Sequence, residues 1–328
     1  MPSPNAIFTE LVSTTFRNHS KEIKDNISKN NALLRRMMTK GRQRIEDGGL
    51  SIVAVLDYAN NGTYQRYSGY DVLNISASDV ISAAEFAWKQ IAINVTAAGN
   101  ELRNNSGRNR IINLVKARTT NAIRTFKNNF SADIYSDGTA ANQITGLQAQ
   151  VADTGTGTVG GIDSSVFPFW RNVVQSAAAP LQGGGAITPS ATTMESLMLA
   201  TWLSVVRGDD MPDLIPCSND YYTFFEQSQT SLKRYNSSDD GGTSDASAGF
   251  VSMKYKTADV VFDGGSGIPN QHMYMLNTDF LELVVHQDAN LTEIPELRSV
   301  NQDAVVMPII WQGNLICSNR SLQAVIKA

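Results

Sequence analysis

Residues 103–135, RNNSGRNRIINLVKARTTNAIRTFKNNFSADIY, constrain this chain more than any other stretch. Apolar side chains recur at Ile111, Val115, Ala122, Phe126, Phe130 and Ile134, with Ile112 and Ile123 beside them. The gaps are mostly four and seven, the spacing of one helix face. Ser106 is placed to cap the helix start, and Asp137-Gly138 to stop it. A helix of roughly 30 residues would be about 45 Å long, against an average near 11–12 residues. Its polar face is basic throughout: Arg103, Arg108, Arg110, Lys116, Arg118, Arg124 and Lys127, with no acid between Glu101 and Asp133. Such a helix is a spine. One side carries a sheet or a neighbouring domain; the other is a solvated basic face or meets something anionic.

The rest of the chain has the size and surface to build on that spine. At 328 residues it has room for two domains or one large one. Charged residues make up only 18 %, below the usual quarter, and a weakly charged polar surface suits broad protein contact. The net charge of −4 is unevenly spread. Residues 1–194 hold 19 basic and 14 acidic side chains, a net of +5; residues 195–328 hold 8 and 17, a net of −9. One end suits a polyanion. The two cysteines, Cys217 and Cys317, make no disulfide framework, which points to a reducing compartment. No apolar run approaches 18 residues and the first 30 hold no continuous apolar segment, so neither a membrane span nor a secretory signal is expected.

In chain order, residues 1–20 read as a loose arm. Residues 20–46 read as a thin amphipathic helix, with nine Lys or Arg between Arg17 and Arg44 against only Glu22 and Asp25. Its stripe of Ile23, Ile27, Leu34, Met37 and Met38 is too thin to fold alone, so an arm docked on another subunit is expected over a helix on its own domain. After Gly48-Gly49, a β-rich run from Ser51 to Tyr58, then Asn61-Gly62, then Thr63 to Tyr70 predict a long hairpin. Tyr58, Tyr64, Tyr67 and Tyr70 are its candidate contacts with a partner, since isolated hairpins are marginal in water. An ordinary edge hairpin fits the pattern equally. A strand is expected around Phe86, Trp88 and Ile91–Val95. Helices are expected over 190–207, capped by Ser190 or Thr192, and over 218–235. Strands are expected at 213–216, 251–262, 305–310 and 315–326, with strand or short helix over 271–286 and an exposed loop at 236–249.

Catalytic chemistry finds little support. Gly155-x-Gly157-x-x-Gly160 has the spelling of a dinucleotide fingerprint, but no apolar helix pattern follows and position 180 is proline where an acid is needed. It reads as a loop. His19, His272 and His286 have no metal-ligand spacing beyond Asp288. Cys217 precedes a helix start, where a thiolate is favoured, yet it follows Pro216 on an apolar strand and reads as a packed thiol. Asp209-Asp210 and Asp239-Asp240 suit turns. No catalytic residue, metal site or cofactor is expected, and no enzyme.

The order of features resembles the major capsid proteins of tailed bacteriophages, which share the Hong Kong 97-type fold. A basic arm precedes a hairpin; a Trp88-Lys89-Gln90 strand runs to Gly99-Asn100-Glu101-Leu102 and a long basic helix. Then follow Ile134-Tyr135-Ser136-Asp137-Gly138-Thr139, Ile144-Thr145-Gly146-Leu147, Gly160-Gly161-Ile162-Asp163 with Phe169-Trp170-Arg171-Asn172, and Trp311-Gln312-Gly313-Asn314-Leu315 with Ser318-Asn319-Arg320. The resemblance covers about residues 40–328.

It implies an α+β fold with four parts: an N-arm (1–46), an extended β-hairpin loop over a neighbouring subunit (47–83), a peripheral domain with the spine helix (84–159 and 278–304), and an axial domain (160–277 and 305–328). It implies self-assembly into hexamers and pentamers of an icosahedral head around double-stranded DNA, assembled in the bacterial cytoplasm. Arg108, Arg110, Arg118, Arg124 and Lys127 would face that DNA without sequence preference. A scaffolding protein, a portal and a decoration protein are the implied partners. The fold's type member cross-links a loop lysine to a neighbour's asparagine; no lysine lies between Lys40 and Lys89 here, so no such link is expected. The chain has no extra N-terminal domain of the size of a fused scaffold, so a separate scaffolding protein is expected. An encapsulin-like compartment shell is the alternative, and a nucleic-acid-binding protein with a basic helix a third reading.

Overall fold

The computed structural model describes residues 31–99, 108–229, 252–263, 267–295, 297–298 and 303–328; the side chains of 108–117, Ser252, Glu293, Leu297 and Arg298 fall outside that description. In chain order the elements are α1 (Ala32–Thr39), β1 (Gln43–Glu46), β2 (Ile52–Asp57), β3 (Ile81–Phe86), β4 (Lys89–Ala98) and α2 (Arg108–Ile134). Then come α3 (Leu147–Gln150), β5 (Thr158–Val159), β6 (Ile162–Asp163), β7 (Val173–Ser176), α4 (Met194–Val205), β8 (Leu214–Cys217) and α5 (Asn219–Ser228). The chain closes with β9 (Ser252–Tyr255), β10 (Ala258–Phe262), β11 (His272–Met275), β12 (Leu281–Glu293), β13 (Leu297–Arg298), β14 (Ala304–Cys317) and β15 (Ala324–Lys327).

These strands make two large sheets. One has five strands, ordered β1-β12-β14-β13, with β4 along the other edge of β14. The second has six, ordered β7-β15-β11-β8-β10-β9. Its central strands are buried on both faces, which is why they read as apolar runs rather than alternations. Ile215, Met273, Met275, Ala324 and Ile326 pack with α4 and α5; Leu214, Tyr274, Leu276 and Val325 point the other way, into a core shared with the five-stranded sheet.

The spine is a helix of 27 residues, about 40 Å at 1.5 Å per residue. Ala122, Phe126, Phe130 and Ile134 are buried, as the four-residue spacing predicts. Phe126 and Phe130 stack at 5.4 Å, and Phe130 meets Trp311 of β14 edge-on at 4.8 Å. Each buried aromatic contributes about 1.5–3 kcal/mol. Arg118 donates to the Thr96 carbonyl of β4 at 2.7 Å, fixing the helix across the sheet. The expected cap Ser106 lies outside the described residues.

Four expectations are corrected. First, the root of the arm is not a free or foreign-docked segment. Ala32, Leu33, Leu34 and Met37 sit in the main core, and β1 pairs in parallel with β12. The arm's cations meet acids of the chain's own second half: Arg36 reaches Asp213 (2.9 Å) and Asp259 (3.3 Å), Lys40 reaches Asp213 (3.1 Å) and Asp279 (3.2 Å), Arg42 reaches Asp279 (2.8 Å). Part of the charge asymmetry is thus neutralised inside the subunit. Residues 1–30 lie outside the described residues.

Second, β2 pairs with β3, from Ile52↔Phe86 to Asp57↔Ile81, and 63–70 forms no strand. The Asn61-Gly62 pair lies inside a 23-residue excursion, 58–80, between them. The alternation of Ile52, Ala54 and Leu56 found a partner with matching burial in Ala84 and Phe86, and together they pack on Trp170, Val284 and Ile316. The hairpin's base is therefore supported by its own subunit.

Third, the division expected at 304/305 cuts a strand. Residues 304–317 are one strand of the five-stranded sheet, paired with β4 from 304 to 313 and with β12 to Cys317; only β15 joins the six-stranded sheet. Fourth, the N-cap position of α4 is Thr193, which makes no side-chain capping bond, rather than Ser190 or Thr192. The expected helix over 218–235 is described only as Asn219–Ser228, and the 236–249 loop lies outside the described residues. No helix among the described residues is long and apolar enough to cross a membrane.

Candidate assembly surface

The motifs read from the sequence converge on a seam between the two sheets. Asn314, fully buried, accepts from the Thr145 N–H (2.8 Å) and donates to the Ala87 carbonyl (2.9 Å) and the Thr145 hydroxyl (3.1 Å). Gly146 lies so close to the end of the spine helix that a Cβ there would come within 2.5 Å of the Ser136 and Asp133 carbonyls, which explains the glycine beside Thr145. Arg320, also fully buried, donates to the Gln150 carbonyl (2.6 Å) and Asn172 Oδ1 (3.1 Å) over the Trp170 ring. The Trp170 indole donates to the Val159 carbonyl (3.0 Å). These residues are joints, not reagents. The seam went unread in the sequence because the partners of Asn314 and Arg320 lie over 100 residues away, although the Asn and Arg inside otherwise apolar runs were the available signal.

Buried ionisable groups are similarly structural. Burial pushes the Cys217 thiol far up, with Asp263 adding to it, and Cys317 up to about 12; neither is a poised nucleophile. Burial and the Asp263 carboxylate also raise Tyr135 well above its usual value, and its hydroxyl donates to Asp263 at 2.5 Å. That bond ties the end of the spine to the end of β10, where Asp263 also accepts from the Ala32 N–H of α1 (3.3 Å). No cluster of three or more metal-ligating side chains occurs among the described residues.

The surface is where unpartnered chemistry lies. Tyr64, Tyr67 and Tyr70 are strongly exposed, as are Val72, Leu73 and Ile75 in the same excursion, Leu50 before it, and Val53, Val55 and Ile81 on the hairpin's outer face. Single exposed apolar residues are ordinary, but a contiguous set marks an interaction surface. Tyr58 differs from the other three tyrosines: it is half-buried, its ring 5.3 Å from Phe169 of its own chain. The sequence reading missed 72–75 because it closed the strand at Tyr70. Of the spine's cations, Arg118 is bound to β4, Arg124 is exposed and Lys127 half-exposed. The side chains of Arg108 and Arg110 lie outside the described residues.

No protein-family model matches the chain, and no curated protein matches it. Solved structures do. A cyanophage A-1(L) capsid asymmetric unit is similar at a TM-score of 0.62 with 17 % identity, covering 88 % of this chain and 90 % of the other. A capsid of a native GTA particle gives 0.54 and 10 %, covering 88 % of each, and a structure of Mycobacterium phage Bobi 0.52 and 7 %, covering 91 % and 90 %. The identities are low, but the likeness covers 88 to 91 % of this chain and of each of the others. With its mixed helices and sheets, the chain has the α+β Hong Kong 97-type fold of phage capsid proteins.

Proposed function

We propose that the chain is the major subunit of a phage head, assembling into hexamers and pentamers of an icosahedral shell around double-stranded DNA. The observation that carries this is the exposed, apolar 58–80 excursion on a capsid fold. A lone subunit leaves those side chains in water, whereas neighbouring copies cover them. In this reading α2 and the five-stranded sheet form the peripheral domain, and the six-stranded sheet with α4 and α5 the axial one. Tyr64, Tyr67 and Tyr70 contact the neighbour. Arg124 and Lys127, with Arg108, Arg110 and Arg118 on the same helix, face DNA through salt-sensitive attraction. The role is structural, not enzymatic. A scaffolding protein, a portal and a decoration protein complete the head in the bacterial cytoplasm; a satellite phage P4 procapsid with its size determination protein, at a TM-score of 0.50, is in keeping with an assembly partner.

The test is sedimentation followed by electron microscopy of the expressed chain, alone and with a scaffold. Closed shells or rings of five and six subunits are expected. A monomer or dimer under every salt condition refutes the proposal, and shells that retain protein cargo in place of DNA would establish the compartment alternative.

A further inference from the structure

The Asn-Gly pair that spells a hairpin turn serves another end in the fold. Asn61 and Gly62 are both exposed and open the turn 61–64, closed by the Tyr64 N–H on the Asn61 carbonyl (3.5 Å). The chain has no other Asn-Gly step. Three features of the turn bear on the Asn61 side-chain amide. Its oxygen accepts twice from Thr63, from the N–H at 3.0 Å and from the hydroxyl at 2.8 Å. The next residue has no side chain, and open space surrounds the place that a Cβ would take. The Gly62 N–H makes only a long bond, 3.3 Å, to the exposed Ser78 hydroxyl.

These features suit attack by a backbone nitrogen on the side-chain amide of the residue before it. The reaction is intramolecular, so it waits on the rotation that brings the Gly62 nitrogen over the Asn61 Cγ rather than on an encounter. Glycine permits that rotation where a Cβ would hinder it. The two donors on Oδ1 draw electrons from Cγ and are in place for the negative charge that gathers on the oxygen as the N–Cγ bond forms. The side-chain nitrogen leaves as ammonia, the Gly62 N–H proton passes to solvent base, and a five-membered imide results. Water adds to either imide carbonyl and breaks its bond to nitrogen. One opening gives aspartate; the other gives isoaspartate, whose main chain is one methylene longer. The balance is one amide and one water in, one carboxylate and one ammonium out. The exposed Asn60 and Asn74 lack this set: each precedes a residue with a side chain, in the second case the β-branched Ile75.

We propose that Asn61 is a site of spontaneous deamidation in the unassembled subunit, with Thr63 as its positioning residue. The product alters the excursion in two ways. It adds a fourth acid to Asp57, Asp71 and Asp79, which stand against Arg66. As isoaspartate it also lengthens the main chain at the turn that ties the two legs of the excursion, through the Gly62 N–H to Ser78 and Asn74 Nδ2 to the Gly62 carbonyl (3.5 Å). The free subunit thus carries a clock: the share with an altered excursion grows with the time it waits. This chemistry needs only the exposed turn and stands apart from the shell proposal.

The test incubates the full chain at mildly alkaline pH and follows its asparagines by peptide mass spectrometry with an isoaspartate assay. Asn61 is expected to convert before Asn60 and Asn74, to a mixture of aspartate and isoaspartate. Gly62→Ala, where the added Cβ meets nothing, is expected to slow conversion about tenfold or more with an unmoved melting midpoint. Thr63→Val is expected to slow it about threefold, the donor being solvent-screened, and Thr63→Ser to restore the parent rate; a turn merely loosened by the change would convert faster. Asn60 or Asn74 converting first, aspartate formed without isoaspartate, or an unchanged rate in Gly62→Ala overturns the site. Thr63→Val converting at or above the parent rate overturns the role of Thr63.

Discussion

Replacing Asn314 by leucine tests the seam directly. The side chains are close in volume, so the change removes hydrogen bonds without opening a large cavity. The half-buried Thr145 N–H loses its acceptor at 2.8 Å, the more exposed Ala87 carbonyl its donor at 2.9 Å, and the Thr145 hydroxyl its donor at 3.1 Å. At about 2 kcal/mol for the first and about 1 for each of the others, the cost is about 4 kcal/mol. An unfolding entropy of about 2.1 cal/mol/K per residue gives the 328-residue chain roughly 0.7 kcal/mol/K, so the melting temperature falls by about 6 °C. Calorimetry of the unassembled subunit measures it, with Gln90→Ala, at an exposed position, as a control expected to move the midpoint by under 1 °C. A shift below 2 °C for Asn314→Leu would refute the argument, because it would mean that the three groups find other partners and the seam is not held by this side chain.

Further outcomes follow from the same structure. Burial raises Tyr221 and Tyr255 to about 12 each; a raised value means stability that is whole below pH 10 and lost as pH climbs through 10 toward 12, so urea midpoints should be flat to pH 9 and fall by pH 11, less steeply in Tyr221→Phe. His272 Nε2 lies 3.1 Å from Asp153; burial opposes the charged ring, but hydrogen bonding to Asp153 prevails and raises its value, while Asp153 is lowered by His272 against its own burial. The ion pair therefore acts at mildly acidic pH and fades as pH rises through the histidine's range, so Asp153→Asn should destabilise more at pH 5.5 than at 8.5; equal losses would count against it. With no lysine between Lys40 and Lys89, shells boiled in detergent should run as a single band, and a covalent ladder would contradict this. Arg124→Glu with Lys127→Glu should leave the subunit's melting point within 1 °C and reduce DNA retained by shells, most at low salt, where the attraction is least screened; unchanged retention would remove these residues from the interior surface.

What the sequence revealed and what it hid divides along physical lines. The spine was legible because one helix face carries its own period, and Ala122, Phe126, Phe130 and Ile134 needed no knowledge of their partners to be read as buried. Tyr64, Tyr67 and Tyr70 were read as partner contacts because an isolated hairpin lacks support of its own; they are exposed, but the strand assigned to them does not form. The pairing of β2 was misread because a local Asn-Gly signal competed with a partner strand 24 to 34 residues away, and the matching apolar faces of Ile52 to Leu56 and Ala84 to Phe86 won. The arm's root was misread because its cations were counted without their acids: Asp213, Asp259 and Asp279 stand some 170 to 240 residues later.

The single core beneath both sheets has a consequence for shape. Leu214, Tyr274 and Val325 of one sheet pack in the same cluster as Leu283, Ile309 and Trp311 of the other, with the spine and α1 wedged against them. A body filled in that way behaves as a stiff tile. Sliding its halves past one another would break dozens of apolar contacts together. A closed polyhedral surface, however, asks chemically identical tiles to meet at more than one angle. In the proposed shell that accommodation would fall on the parts outside the tile's filling: the excursion between β2 and β3, and the Gly48-Gly49 joint that leads into β2, where both residues take backbone angles that glycine alone adopts freely. Curvature would then be set by the strap rather than the plate, and stiffening the strap would restrict the sizes of container that the same plate can build.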